Sequence, residues 1–325
     1  MRIKRSGKSI CCIKIFKFYP LQPRIIFMGT PDFAVPSLDK LLQAGYSVVA
    51  VITAPDRPAG RGLRLQQSEV KKFALEKGLT VLQPEKLKAP EFLQELVSLK
   101  ADLQVVVAFR MLPEVVWSMP PMGTINLHAS LLPQYRGAAP INWAIINGEK
   151  ETGATTFKLQ HEIDTGNILL QQKMEISEGE TAGELHDRMK EMGAMLLVRA
   201  VDGLVSGSIQ ETPQSAGANE IHHAPKLSTA TSMIDWNKRA DEVYNLIRGL
   251  SPYPAAFTVL SGKTLKIYKA KKEMIAPAVA AGEYETDKKT FLRFACTNGY
   301  ISITELQLEG KKKLTIQEFL RGYKW

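Results

Sequence analysis

The sequence predicts an α/β protein: a doubly wound, mostly parallel sheet followed by a small β-barrel. Short apolar runs alternate with amphipathic segments over residues 24–205, the strand, helix, strand order of βαβ units. Residues 103–108 are almost continuously apolar, as a parallel strand buried on both faces must be. Beyond residue 255 several short strand-like runs are separated by Gly, Lys and Asp turns, the pattern of a small barrel.

Taken in order, residues 24–28 read as a strand, 34–44 as a helix and 48–52 as a second strand, which completes one βαβ unit. A helix at 68–77, a short strand near Val81, a helix at 90–99 and the strand at 103–108 continue the pattern. A buried strand then ends at residues 123–127, followed by a helix at 139–146, strands at 155–159 and 168–176, and a long closing helix at 182–205. Residues 211–227 turn polar, with Pro213, Gly217 and Pro225, and mark a linker. After it come a helix at 240–248 and strands at 257–260, 265–270, 291–295 and 300–308. The expected organisation is an extension at 1–23, an α/β domain at 24–209, a linker at 210–227 and a C-terminal domain at 228–325.

One stretch resists this pattern. From 53 to 72, Pro55, Pro58, Gly60 and Gly62 forbid regular structure, while Arg57, Arg61, Arg64, Lys71 and Lys72 project five cations. It reads as a long mobile loop, and guanidinium groups suit phosphates.

At 325 residues, with 45% hydrophobic and 23% charged side chains, the composition is that of a globular protein with room for two domains. Cys11 and Cys12 are adjacent and Cys296 stands alone, so neither a disulfide framework nor a metal-ligand spacing forms, and a reducing cytoplasm is the expected home. No stretch approaches the ~20 apolar residues that cross a bilayer, so no membrane partner is expected.

The net charge of +9 is unevenly spread. Residues 1–23 hold six cations (Arg2, Lys4, Arg5, Lys8, Lys14 and Lys17) and no acid, with no apolar run of signal-peptide length. They read as a disordered extension or a start-site artefact rather than a basic arm for RNA or membrane; Met28, inside the first strand, is no workable start for the domain. Residues 24–209 hold 19 Lys and Arg against 21 Asp and Glu, a net of −2, whereas residues 210–325 hold 17 against 12, a net of +5. A basic accessory domain beside a near-neutral one suits a polyanionic substrate, although a solubilising surface reads the same way.

The chemistry concentrates where the strand at 123–127 ends. Period-2 alternation sends Asn126 and His128 out on one side. A carboxamide N–H can donate to an oxygen that gains negative charge, and an imidazole exchanges protons near neutral pH. Asp164, in the Asp164-Thr165-Gly166 turn, would orient or charge-stabilise that imidazole. Leu131-Leu132-Pro133 cannot continue a strand or helix and should form an irregular wall suited to a flat heterocycle, with Tyr135 and Arg136 at its rim. An isolated Asn-x-His is also what a solvated strand end looks like.

These residues resemble the signature Asn-x-His-x-Ser-Leu-Leu-Pro-x-x-x-Gly, with a later Asp-x-Gly, of the formyltransferases that use 10-formyltetrahydrofolate. Segments 27–35, 55–62 and 251–257 are most similar to the family members that formylate methionyl-tRNA, and the resemblance runs from about residue 24 to near the C-terminus. It implies a Rossmann-like catalytic domain, an oligonucleotide-binding-like (OB-like) C-terminal barrel, 10-formyltetrahydrofolate as donor, initiator methionyl-tRNA as acceptor, no metal, and a monomer. By the same resemblance Asn126, His128 and Asp164 are catalytic; Ser130, Leu131, Leu132, Pro133, Phe109 and Arg110 are placed at the folate. Arg57, Arg61, Arg64, Lys71, Lys263, Lys266 and Lys269 are the RNA-contact candidates, with Lys271 and Lys272 nearby.

Two departures stand out. Ser68-Glu69-Val70-Lys71 replaces the family's Ser-Pro-Val-Lys, and Arg110 replaces a common glycine, where a cation either meets the folate's glutamate tail or faces solvent. The turn at 29–34 lacks both the three-glycine fingerprint and a phosphate-loop Lys-Ser/Thr, so it reads as a tight strand-to-helix turn with Asp32 near a helix start. His161, His186, His222 and His223 lie outside the motif and read as structural or solvated. Two rivals remain open: a formyl-folate hydrolase or small-amine transferase, and a noncatalytic RNA-binding protein on the same fold.

Overall fold

The computed structural model describes residues 22–59, 64–215 and 220–323; Arg61 and the 1–21 part of the basic extension lie outside the described residues. The α/β part runs β1 (Arg24–Gly29), a 3-10 turn (Asp32–Ala34), α1 (Val35–Gln43), β2 (Ser47–Ile52), β3 (Arg57–Ala59), β4 (Arg64–Gln66), α2 (Glu69–Glu76), β5 (Val81–Leu82), α3 (Pro90–Ser98), β6 (Leu103–Val107) and α4 (Glu114–Trp117). It continues through β7 (Thr124–His128), β8 (Arg136–Gly137), α5 (Pro140–Ile146), β9 (Glu151–Lys158), β10 (Ile168–Glu175) and α6 (Ala182–Ser206).

Seven strands form one sheet in the order β10-β9-β7-β6-β1-β2-β5. β1, β2, β5, β6 and β7 pair in parallel, and β9 and β10 join antiparallel at one edge. The alternation of side chains along β1 divides the core. Ile25 and Phe27 pack with α1 and α6 residues on one face, while Ile26 and Met28 pack with Phe92 and Leu96 of α3 on the other. A strand covered on both faces has no solvent side, which is why β1 and β6 are apolar along most of their length, with Gln104 buried in β6.

The stretch read as an irregular loop holds a short antiparallel hairpin, in which β3 pairs Arg57 with Gln66 and Ala59 with Arg64. Pro58 is tolerated there because a two-stranded ribbon has free edges and needs no N–H from every residue. Ser68 caps α2, its hydroxyl accepting from the Lys71 N–H. The Glu69 substitution therefore leaves this helix start intact.

The linker is pinned along much of its described length. Thr212 bridges Ile168, and β11 (His223–Ala224) pairs in parallel with β8. Then follow α7 (Thr229–Ser232), α8 (Ala240–Gly249), β12 (Ala256–Leu260), β13 (Lys263–Glu273), β14 (Tyr284–Thr286), β15 (Leu292–Ala295), β16 (Tyr300–Leu308), β17 (Leu314–Thr315) and α9 (Ile316–Gly322). The strands make a curled antiparallel sheet, β12-β13-β16-β15-β14 with β17 beside β16, an OB-like half-barrel. Its core stacks Trp236 on Phe294, ring centroids 4.7 Å apart.

The two parts meet through α5 and α8. A Cβ on Gly249 would lie 2.6 Å from the Ile146 side chain, so glycine permits this approach. Asn142 Nδ2 donates to the Gly249 carbonyl at 2.8 Å, and buried Arg248 donates to the Glu180 carbonyl at 3.2 Å.

Candidate active site

β7 lies inside the sheet, and its register with β6 sets Asn126 beside Val106. Asn126 and His128 therefore share the face of Ile26, Met28 and Val106, opposite Ile125 and Leu127. Beyond the C-terminal ends of β1, β6 and β7, next to the point where strand order reverses, a cavity of about 640 Å³ opens. Asn126, His128 and Asp164 all line it. Its apolar walls come from Val106, Phe109, Leu112 and Leu159, with the irregular segment 108–112 along one side. That size and mix of apolar walls with few convergent polar groups is that of a small-molecule site.

His128 is 7% exposed, and its Nε2 lies 2.9 Å from the Tyr135 carbonyl. A carbonyl only accepts, so Nε2 carries a proton and Nδ1 is the nitrogen left to exchange one. Nδ1 sits 3.9 Å from Asp164 Oδ2, a charge-pairing distance too long for a hydrogen bond. Asp164 adopts φ 54°, a left-handed conformation, and its Oδ2 accepts from the Gly137 N–H at 3.0 Å. Among the described residues the Asn126 carboxamide has no protein partner, which leaves its amide free for a ligand oxygen.

The Ser-Leu-Leu-Pro turn follows His128 and Ala129, which line the cavity. Ser130, Leu131, Leu132 and Pro133 are not among the residues that line this cavity. Ser130 is fully buried, its hydroxyl donating to the Gln134 carbonyl, and the Thr155 hydroxyl donates to the Ser130 carbonyl at 2.6 Å. Thr155 also accepts from the Leu132 N–H, and Gln171 donates to the Leu132 carbonyl. Several polar groups of the turn are thus engaged within the protein, and the turn leads into Tyr135, whose carbonyl meets His128.

Phe109 lines the cavity as expected. Arg110 does too, but its guanidinium turns back to donate to the Pro84 and Glu85 carbonyls, neither free in solvent nor aimed across the cavity. Burial lowers its pKa from the ordinary arginine value. Lys71 is likewise engaged, with Nζ 2.6 Å from Asp56 and 14% of the side chain exposed. Lys266 reaches toward the Pro254 carbonyl at 3.4 Å and Lys269 toward Glu184 at 4.0 Å. Arg57 and Lys263 are exposed, and Arg64 lies on β4. His161 and His186, read as bystanders, stand in the cavity lining. Asp32, His186 and Asp187 have the spacing of metal ligands, but Lys190 Nζ lies 2.8 Å from Asp187 and 3.4 Å from Asp32, a cation already supplied by the chain.

Residues 23–201 match the family model of a formyl transferase, and residues 226–324 match that of a formyl transferase C-terminal domain. The chain belongs to the formyl transferase family. It is 52% identical over 307 residues to methionyl-tRNA formyltransferase of Bacteroides fragilis, covering 92% of this chain and 95% of that one. It is 53% identical over 310 residues to methionyl-tRNA formyltransferase of Parabacteroides distasonis, covering 93% and 96%. Among solved structures it is similar to an N-formyltransferase from Helicobacter canadensis in complex with folinic acid and dTDP-3-aminofucose, with TM-score 0.63 and 19% identity over 90% of this chain and 100% of that one. HypX from Aquifex aeolicus in complex with tetrahydrofolic acid gives TM-score 0.63 and 19% identity over 93% and 48%. At such identities these two structures show the fold alone.

In this formyl transferase several groups that shape the site escaped the motif. Tyr135 was read as rim, yet its carbonyl selects the His128 tautomer and its ring is buried. Burial, and then the 2.5 Å hydrogen bond to Glu149, holds its phenol well above the ordinary tyrosine range, so it remains a donor. His222 of the linker lies 3.3 Å from the same hydroxyl. Gly137 was visible as the motif's terminal glycine; only the fold shows that its N–H serves Asp164.

Proposed function

We propose that the chain transfers the formyl group of 10-formyltetrahydrofolate to the α-amine of initiator methionyl-tRNA for translation initiation. The observation that carries this reading is the convergence of Asn126, His128 and Asp164 on one cavity wall at the carboxyl ends of the parallel strands. The methionyl-tRNA acceptor follows from the relatives at about half identity over more than nine-tenths of the chain. The basic C-terminal part and exposed Arg57 and Lys263 supply charge for a phosphate backbone.

The neutral amine attacks the formyl carbon, and the carbonyl oxygen takes up negative charge. Asn126 donates to that oxygen, and His128, protonated at both nitrogens, donates from Nδ1 while Tyr135 holds Nε2. Asp164, 3.9 Å away, stabilises the imidazolium and receives the proton that the amine sheds. Collapse breaks the bond to the folate nitrogen, which leaves with the proton that Asp164 took from the amine. All three groups come from one chain, so we read the acting form as a monomer, and we place it in the cytoplasm, where charged initiator tRNA is made and used.

Replacing Asn126 or His128 by Ala should lower kcat by about 10² to 10³-fold, the scale of losing one oxyanion donor, with the unfolding midpoint unchanged. Formylation of methionyl-tRNA near the wild-type rate by either variant defeats the assignment.

A further inference from the structure

The proton-handling pair depends on a loop with little support of its own. Residues 160–163 are exposed, 159–167 belong to no strand, and Asp164 sits at φ 54°, a conformation that costs a non-glycine residue energy and persists only under outside constraint. Much of that constraint comes from one side chain of the linker. Gln214 Nε2 donates to the Asp164 carbonyl at 2.8 Å and to the Gly166 carbonyl at 2.9 Å. Its Oε1 accepts from Arg136 Nε at 3.0 Å and Nη2 at 2.6 Å. Two donors and two acceptor sites are thus all used, and only this orientation of the amide sets N–H against carbonyls and oxygen against a guanidinium.

Arg136 is flanked by the two residues that the catalytic pair needs. Tyr135 on one side gives the carbonyl that holds His128, and Gly137 on the other gives the N–H that holds Asp164. We propose that Gln214 is a positioning residue, tying the Asp164 loop to β8 and so fixing how far the Asp164 carboxylate stands from His128 Nδ1. This deepens the proposed formyl transfer and rests on it. Gln214 touches neither reacting group's side chain; it sets the main chain from which one of them projects. It also belongs to the segment joining the two domains, next to the Thr212 bridge to Ile168.

The test compares Gln214→Ala, Gln214→Glu and the wild type. Gln214→Glu keeps the shape and the Arg136 pairing but turns an acceptor toward both carbonyls, so the loop is released with little volume change. Both variants should lose about ten- to a hundred-fold in kcat, the scale of an ångström-level misplacement. KM for donor and for methionyl-tRNA should stay within about two-fold, since neither substrate's binding groups are changed. The imidazole ¹⁵N resonances of His128, read in the folded proteins at fixed pH, should move in both variants, and this readout does not require that the wild type formylates methionyl-tRNA. Wild-type kcat in Gln214→Glu, a loss confined to KM, or unmoved His128 resonances would each overturn the proposal.

Discussion

At His128 a main-chain carbonyl selects the tautomer. Tyr135 accepts from Nε2, so the acid can act at Nδ1 only through charge across 3.9 Å. The same scale separates displayed cations from engaged ones: Lys71 and Arg110 look alike in sequence to Arg57, yet one is held by Asp56 and the other by two carbonyls. Cys296 shows the reverse case of a group silenced by burial, 2% exposed, its thiol pushed up to about 12 from 9.0. The fold holds the neutral thiol, so its contribution is intact below pH 9, where the unfolded thiol begins to ionise, and is lost as pH rises toward 12. Urea unfolding at pH 8 and pH 10 should show a larger loss of stability in the wild type than in Cys296→Ala, by up to about 1 kcal/mol. Equal losses in the two proteins contradict this account.

Among elements, the two-residue strand β8 carries more of the site than its length suggests. It pairs with β11 of the linker; its Gly137 supplies the partner of Asp164, and Tyr135, just before it, supplies that of His128. Gly137 sits at φ 125°, and a Cβ there would fall 2.5 Å from the Ala224 carbonyl oxygen. Gly137→Ala must therefore part β8 from β11 or distort it, at roughly 1–3 kcal/mol, the cost of one strained residue. Its unfolding midpoint in urea should fall, and formylation should fall with it because the N–H to Asp164 is displaced. An unchanged midpoint with full activity would show that the short parallel pair bears no strain.

Across the whole molecule, what the sequence revealed follows a physical line. Long, strongly periodic elements were legible: β1, β6 and α6 fell within a residue or two of their expected bounds because burial on both faces, or along one helical stripe, leaves a pattern in hydrophobicity. So were Asn126 and His128 on one face, since strand alternation dictates it. The pairing of β3 with β4 was missed because Pro58 reads as a strand breaker where neighbours are unknown. The engagement of the Ser-Leu-Leu-Pro turn with Thr155 was not legible, because Thr155 comes from another strand. Gln214 gave no signal, because an amide in a polar linker acquires its role from a strand and a loop that lie 48 to 78 residues away in sequence.

The reaction assigned to this cavity joins a folate-borne formyl group to the amine of methionyl-tRNA. The most direct measurement follows label from 10-formyltetrahydrofolate carrying a labelled formyl carbon, with methionyl-tRNA, free methionine and water competing as acceptors. The label should accumulate in N-formylmethionyl-tRNA and in neither of the others. Label released as formate, or passed equally to free methionine, would contradict it.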